Sequence, residues 1–178
     1  MNLYRNLILW SITVWVIGIP ATTTVMAAPP AGKPPEFTIG RPAPDFNLTL
    51  FSGAKVSLKS FRGNAVIVNF WHSMCAHCQQ EAPVIEAAYE KYRTRGLVII
   101  GVNISADEEQ AAHDFVERYK LTFPAGHDSG EIGRLYAVEA VPIMSTMIFI
   151  DKAGNLVERY VGELTEAEFL QRIEDLLK

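Results

Sequence analysis

The sequence predicts an α/β fold, a mixed central sheet flanked by helices, and three patterns carry that expectation. Two short apolar runs, Ala65–Trp71 and Leu97–Asn103, have the make-up of strands buried on both faces. A helical stretch joins them, from about Cys75 to Arg95, with Gly96 as its stop. Met147–Ile150 and Leu156–Val161 then read as two strands joined by a turn at Asp151-Lys152-Ala153-Gly154-Asn155. Strand, helix, strand, then helix, hairpin and helix is the order of a sandwich with a mixed sheet.

The elements follow from the N-terminus. In Met1–Ala27, Arg5 precedes an uncharged apolar run from Leu7 to Ile19, Pro20 breaks it, and Val25-Met26-Ala27 offers small residues for a peptidase. This is the layout of a secretory signal, and the run falls short of the roughly 20 residues of a membrane span. An uncleaved anchor running on to Ala28 is the alternative. Residues 28–37 are a Pro-rich linker, and the domain occupies 38–178. Asp45–Leu50, turned by Ser52-Gly53 into Lys55–Leu58, forms an N-terminal β-hairpin extension. Ser105-Ala106-Asp107-Glu108 has capping-box spacing and opens a helix whose Phe115, Val116 and Tyr119 face the core. A short helix covers Glu131–Tyr136. Thr165-Glu166-Ala167-Glu168 repeats the capping-box spacing before a last amphipathic helix with Phe169, Ile173, Leu176 and Leu177.

Composition narrows the function. The 178 residues are 49% apolar and carry a formal net charge of −4, enough chain to bury a core and too acidic for a general nucleic-acid binder. Removing residues 1–27 takes away one positive charge and no negative one. Cys75 and Cys78 are the two cysteines, which excludes a disulfide framework, a four-cysteine zinc site and a lipid-modified cysteine at the cleavage region.

Cys75-Ala76-His77-Cys78 falls where the first buried strand gives way to a helix. There the unpaired N–H groups and the positive end of the helix dipole favour a thiolate at Cys75. Cys78, one turn on, lies close enough to close a disulfide. Cys75 is expected to be the more accessible thiol and to attack a substrate disulfide, with Cys78 resolving the product. His77, locked inside the motif, tunes the thiolate. A structural disulfide or a metal clip is the plainer alternative, and His72 could join the cysteines in a metal site, although a buried strand-end histidine is the commoner outcome. His113 and His127, on a helix face and in a loop, are assigned no role.

Several further segments extend the pattern: Gly40-Arg41-Pro42-Ala43-Pro44-Asp45-Phe46, Val68-Asn69-Phe70-Trp71 leading into Cys75–Pro83, Gly101-Val102-Asn103, Leu121-Thr122-Phe123-Pro124, Tyr136–Pro142 and Ile150–Gly154. In this order they resemble the TlpA/ResA-like thiol–disulfide oxidoreductases of the thioredoxin superfamily, over about residues 38–178. The resemblance implies a thioredoxin-like fold and exchange of disulfides with protein cysteines, without cofactor or metal. It implies a cis-proline at Pro142, with Val141 offering backbone hydrogen bonds to a bound substrate, a helix-kinking Pro83, and Glu81 as the acid near the cysteines that moves a proton. An exposed helix glutamate is the plainer reading of Glu81.

The chain also departs from that family. Met74 stands where a tryptophan usually precedes the first cysteine, giving the substrate-binding rim a softer side chain. Asn69 replaces the buried aspartate of cytoplasmic thioredoxins. Ile143–Thr146 runs about three residues longer than the family pattern.

The resemblance further implies cysteine-containing protein substrates, a membrane or exported redox partner, and a periplasmic or other extracytoplasmic location, with inner-membrane attachment if the N-terminal segment stays uncleaved. Cytochrome c maturation and extracytoplasmic disulfide control are the settings it suggests. Copper binding or delivery on the same fold is the alternative, though such relatives usually space their cysteines one residue wider. A thiol peroxidase would need a threonine and a proline where His72 and Val68 stand.

Overall fold

A computed structural model of the chain describes residues 38–104, 106–138 and 145–178. The signal and linker expected over residues 1–37 lie outside the described residues.

Strands β1 (Asn47–Thr49) and β2 (Lys55–Ser57) pair antiparallel as the expected hairpin. β3 (Ala65–Trp71) leads to helix α1 (Ala76–Tyr92), whose last turn tightens over Arg93–Arg95 before Gly96 at φ 92°. A left-handed residue there costs glycine little, so the chain can turn directly into β4 (Leu97–Asn103). Helix α2 (Glu109–Tyr119), strand β5 (Ala125–His127) and helix α3 (Glu131–Leu135) follow. β6 (Thr146–Ile150), β7 (Leu156–Val161) and α4 (Glu166–Leu176) complete the order.

The main sheet runs β5-β4-β3-β6-β7. β3, β4 and β5 are parallel, and β6 and β7 are antiparallel to their neighbours. β3 is buried at all seven positions, as a central strand covered on both faces must be. Its side chains alternate between two core layers. Val66, Val68 and Phe70 meet Phe46, Leu48 and Tyr136 on the hairpin and α3 side. Ala65 and Ile67 meet Ile85, Tyr92, Phe169 and Ile173 of α1 and α4 on the other. Each fully buried large side chain of this kind contributes about 1.5–3 kcal/mol.

Two differences from the sequence expectation have physical causes. The sequence pattern puts His127 in a loop, but it ends strand β5. The three residues of β5 pair with Gly101–Asn103 and are covered from outside by the hairpin, where Phe51 N–H donates to the Ala125 carbonyl at 2.8 Å. The helix expected to open at the Ser105–Glu108 capping box starts instead at Glu109, with Glu108 as its N-cap residue and no side-chain cap, while Asp107 just before it turns its carboxylate onto Ser73 and Asn103. Ser105 itself lies outside the described residues. At α4 the same spacing does make a capping box, with Thr165 and Glu168 each capping the other's backbone N–H. The long stretch at Ile143–Thr146 is described only from Ser145, and β6 begins at Thr146.

Candidate functional site

β3 ends at Trp71, and the four residues His72–Cys75 carry the chain into α1. Cys75 is the N-cap residue, extended at φ −77° and ψ 115°, and its Sγ accepts the backbone N–H of Cys78 at 3.2 Å. That N–H is one of those left unpaired by the first helical turn, so the sulfur sits where a thiolate is best stabilised. The two cysteines form a disulfide, with Cα atoms 5.2 Å apart.

Greater exposure of Cys75 is not found. Cys75 is 2% exposed and Cys78 4% in this disulfide form. The N-cap geometry turns Cys75 inward, into an apolar cluster with Trp71, Ala82, Ala112 and Phe115, while Met74 projects outward at 80% exposure. Phe115 stacks on Trp71 with ring centroids 4.4 Å apart, so the α2 stripe that reads as plain core lies against the cysteine motif. In the disulfide form the helix terminus, not exposure, distinguishes the two sulfurs.

Glu81 lies one turn beyond Cys78 and is buried, which removes the reading of an exposed helix glutamate. Its Oε1 accepts the N–H of Leu164 at 3.4 Å. Burial pushes its pKa up; the Ser145 hydroxyl and the Leu164 N–H pull it down, the Glu163 carboxylate pushes it up, and His77 pulls it down, leaving it above the ordinary value. A cavity of about 190 Å³ opens against Glu81, walled by Val84, Met147, Leu164 and Phe169, with Glu163 at its edge.

His77 is half-exposed, and its Nδ1 stands 3.2 Å from Glu163 Oε2 without the angle of a hydrogen bond. Asn69, buried in β3, accepts from Ser145 Oγ at 3.4 Å. Pro83 sits inside α1 on its exposed side. Val141 and Pro142, the expected substrate-binding pair, lie outside the described residues.

On the opposite side of the motif is a polar cluster that the sequence pattern does not single out. Asp107 accepts from Ser73 and Asn103, and Asn103 Oδ1 lies 2.7 Å from His127 Nδ1. His72 is a buried strand-end histidine whose Nδ1 accepts the Met74 N–H at 3.0 Å, which puts the ring proton on Nε2. His113 packs its ring on Phe51, 4.4 Å between centroids. No three potential metal-ligating side chains of the His, Cys, Asp or Glu type come together among the described residues. Glu163 and Asp107 act on the motif from loops 88 and 32 residues away in sequence from Cys75, and nothing local to the motif marks them.

Comparison with known proteins agrees with this geometry. The model of the AhpC/TSA family matches residues 39–159. A thiol-disulfide oxidoreductase ResA of Bacillus cereus is 38% identical over 143 residues, covering 78% of this chain and 80% of that one. ResA of Oceanobacillus iheyensis is 30% identical over 178 residues, covering 97% and 88%. Among solved structures, a Chlorobium tepidum chain named as a putative thiol:disulfide interchange protein DsbE superposes with a TM-score of 0.72 at 29% identity, covering 80% of this chain and 99% of that one.

Proposed function

The chain belongs to the AhpC/TSA family and within it to the ResA-like thiol–disulfide oxidoreductases, and from that premise we propose how its own residues divide the work. Cys75 attacks and Cys78 resolves. The Cys75 thiolate bonds to one sulfur of a client disulfide, the client S–S bond breaks, and the departing client thiolate takes a proton. Cys78 then gives its proton to Glu81, its sulfur bonds to Cys75 Sγ, and the second client thiolate leaves. The client disulfide has become a dithiol and Cys75–Cys78 a disulfide; run backwards, the same steps oxidise a client. His77 tunes the poise, and Met74, Val141 and Pro142 receive the client segment.

The observation that carries this reading is the N-cap position of Cys75, its sulfur facing the Cys78 N–H. For Glu81, support comes from its burial one turn beyond Cys78, since a carboxylate with a raised pKa is a better proton acceptor than a solvated one. The clients are cysteine-bearing exported proteins, in cytochrome c maturation or in wider extracytoplasmic disulfide control. Residues 1–27 act as the export signal, cleaved or kept as an anchor, and 28–37 as the linker to the domain at 38–178. Among the described residues no helix is long and apolar enough to cross a membrane.

Trapping tests the reading. A Cys78→Ala variant, expressed with its own N-terminal segment, should accumulate in mixed disulfides through Cys75, and mass spectrometry of the captured chains identifies the client class. Absence of any Cys75-linked protein in the Cys78→Ala variant, or capture through Cys78 in a Cys75→Ala variant instead, would contradict it.

A further inference from the structure

Asp107 uses every acceptor position it has. Its Oδ2 takes the backbone N–H of Ser73 at 2.6 Å and the side-chain amide of Asn103 at 2.7 Å. Its Oδ1 takes the Ser73 hydroxyl at 2.6 Å and the N–H of Glu108 at 3.1 Å. The residue is buried, and no neutral side chain of its size could accept all four bonds, because an amide has one oxygen. Burial alone would raise its pKa; the bonds from Ser73 and Asn103 outweigh that and hold the carboxyl below its usual range.

The donors matter because of where they lie. Ser73 stands two residues before Cys75, and Asp107 grips it by main chain and side chain together. The rest of the approach is tied at each step: Met74 N–H to the His72 ring, Cys75 N–H to the His72 carbonyl at 3.1 Å, and the Gln79 amide to the Ser73 carbonyl at 2.8 Å. Those ties are internal to the loop and α1. Asp107 is what fastens the loop to the end of β4, through Asn103, whose amide also reaches the Trp71 carbonyl at 3.4 Å.

We propose that Asp107 is a positioning residue for the nucleophile: by clamping Ser73 it sets the path of the chain into α1 and holds the Cys75 thiol against the N–H groups of the first helical turn. The proposal rests on Cys75 being the attacking thiol. Stabilisation by a helix terminus fades within one turn, so a small shift of the loop costs reactivity. Asp107's own negative charge works the other way, disfavouring a nearby thiolate. Positioning and charge therefore predict opposite results.

The test is the rate of iodoacetamide labelling of each cysteine in the reduced full-length protein, resolved by mass spectrometry from pH 5 to 9, with circular dichroism confirming the fold. Ser73→Ala keeps the Asp107 charge and should slow Cys75 labelling near neutral pH about fivefold. Ser73→Thr, which restores the hydroxyl, should recover to within about twofold of the parent. Asp107→Asn should also slow it. Unchanged labelling in Ser73→Ala, or faster labelling in Asp107→Asn, would overturn the proposal. If Asp107→Asn fails to fold, the two Ser73 variants decide. Preferential labelling of Cys78 in the parent would instead remove the nucleophile assignment on which the proposal stands.

Discussion

Leu164 donates its backbone N–H to Glu81 Oε1, and so fastens the turn between β7 and α4 onto the helix that carries the cysteines. The turn helps to bury the carboxyl, while the Glu163 carboxylate next in the chain opposes its ionisation. A group that reads as an ordinary helix-surface acid becomes a buried one through a contact 83 residues away.

The first prediction follows from the sign of that shift. With its pKa raised by burial, Glu81 binds a proton more tightly in the folded than in the unfolded chain. Its favourable contribution is complete below the unfolded pKa and is lost as pH rises through the folded one. Glu81→Gln should flatten this decline, leaving the variant the more stable of the two at neutral pH. Urea melts from pH 4 to 8 measure it, and parallel curves for parent and variant would count against it. The same variant should slow release of the mixed disulfide about a hundredfold if Glu81 takes the Cys78 proton.

A second prediction concerns poise. On the tuning role proposed above, His77 would add positive charge or a hydrogen-bond donor to the thiolate side of the couple and make the disulfide more oxidising. His77→Pro should move the reduction potential in the negative direction by tens of millivolts, about 30 mV being 1.4 kcal/mol for two electrons. Equilibration against glutathione buffers reads this directly. A potential equal to the parent's would remove His77 from the account.

Gly126 gives a third. A Cβ there would collide with the carbonyl oxygen of Thr49, a backbone atom that cannot swing aside. Gly126→Ala should cost about 1–3 kcal/mol as the hairpin is forced off β5. Chemical denaturation measures it, and a loss below about 0.5 kcal/mol would show that the hairpin yields freely.

The capping box supplies the fourth. Thr165→Ala removes the cap from α4 and should destabilise the domain by about 1 kcal/mol, read from the shift in urea midpoint. Thr165→Ser should restore most of it; a serine variant as unstable as the alanine one would assign the loss to the threonine methyl instead.

What was legible in the sequence followed from local pattern. β3 and β4 announced themselves as unbroken apolar runs because both faces of a central strand are covered, and the structure places them at Ala65–Trp71 and Leu97–Asn103 as expected. The cysteine motif at a strand-to-helix junction was equally plain. The failures came where a distant partner overrode a local signal. Ser105–Glu108 and Thr165–Glu168 share one spacing, yet α2 starts only at Glu109 with no side-chain cap, and Asp107 within the first segment is drawn onto Ser73 and Asn103. β5 has a glycine at its centre and only three residues, so it exists through its pairing with β4 rather than through propensity. The inward turn of Cys75 depended on α2 arriving with Ala112 and Phe115, which no spacing around the motif could foretell.

The hairpin's hold on β5 has a consequence for how the protein meets other chains. An uncovered outer strand offers a row of free N–H and carbonyl groups on which a foreign extended segment can grow the sheet. Here Leu50 and Phe51 already occupy that margin. A protein that handles extended cysteine-bearing segments is thereby shielded, on this side, from templating their aggregation.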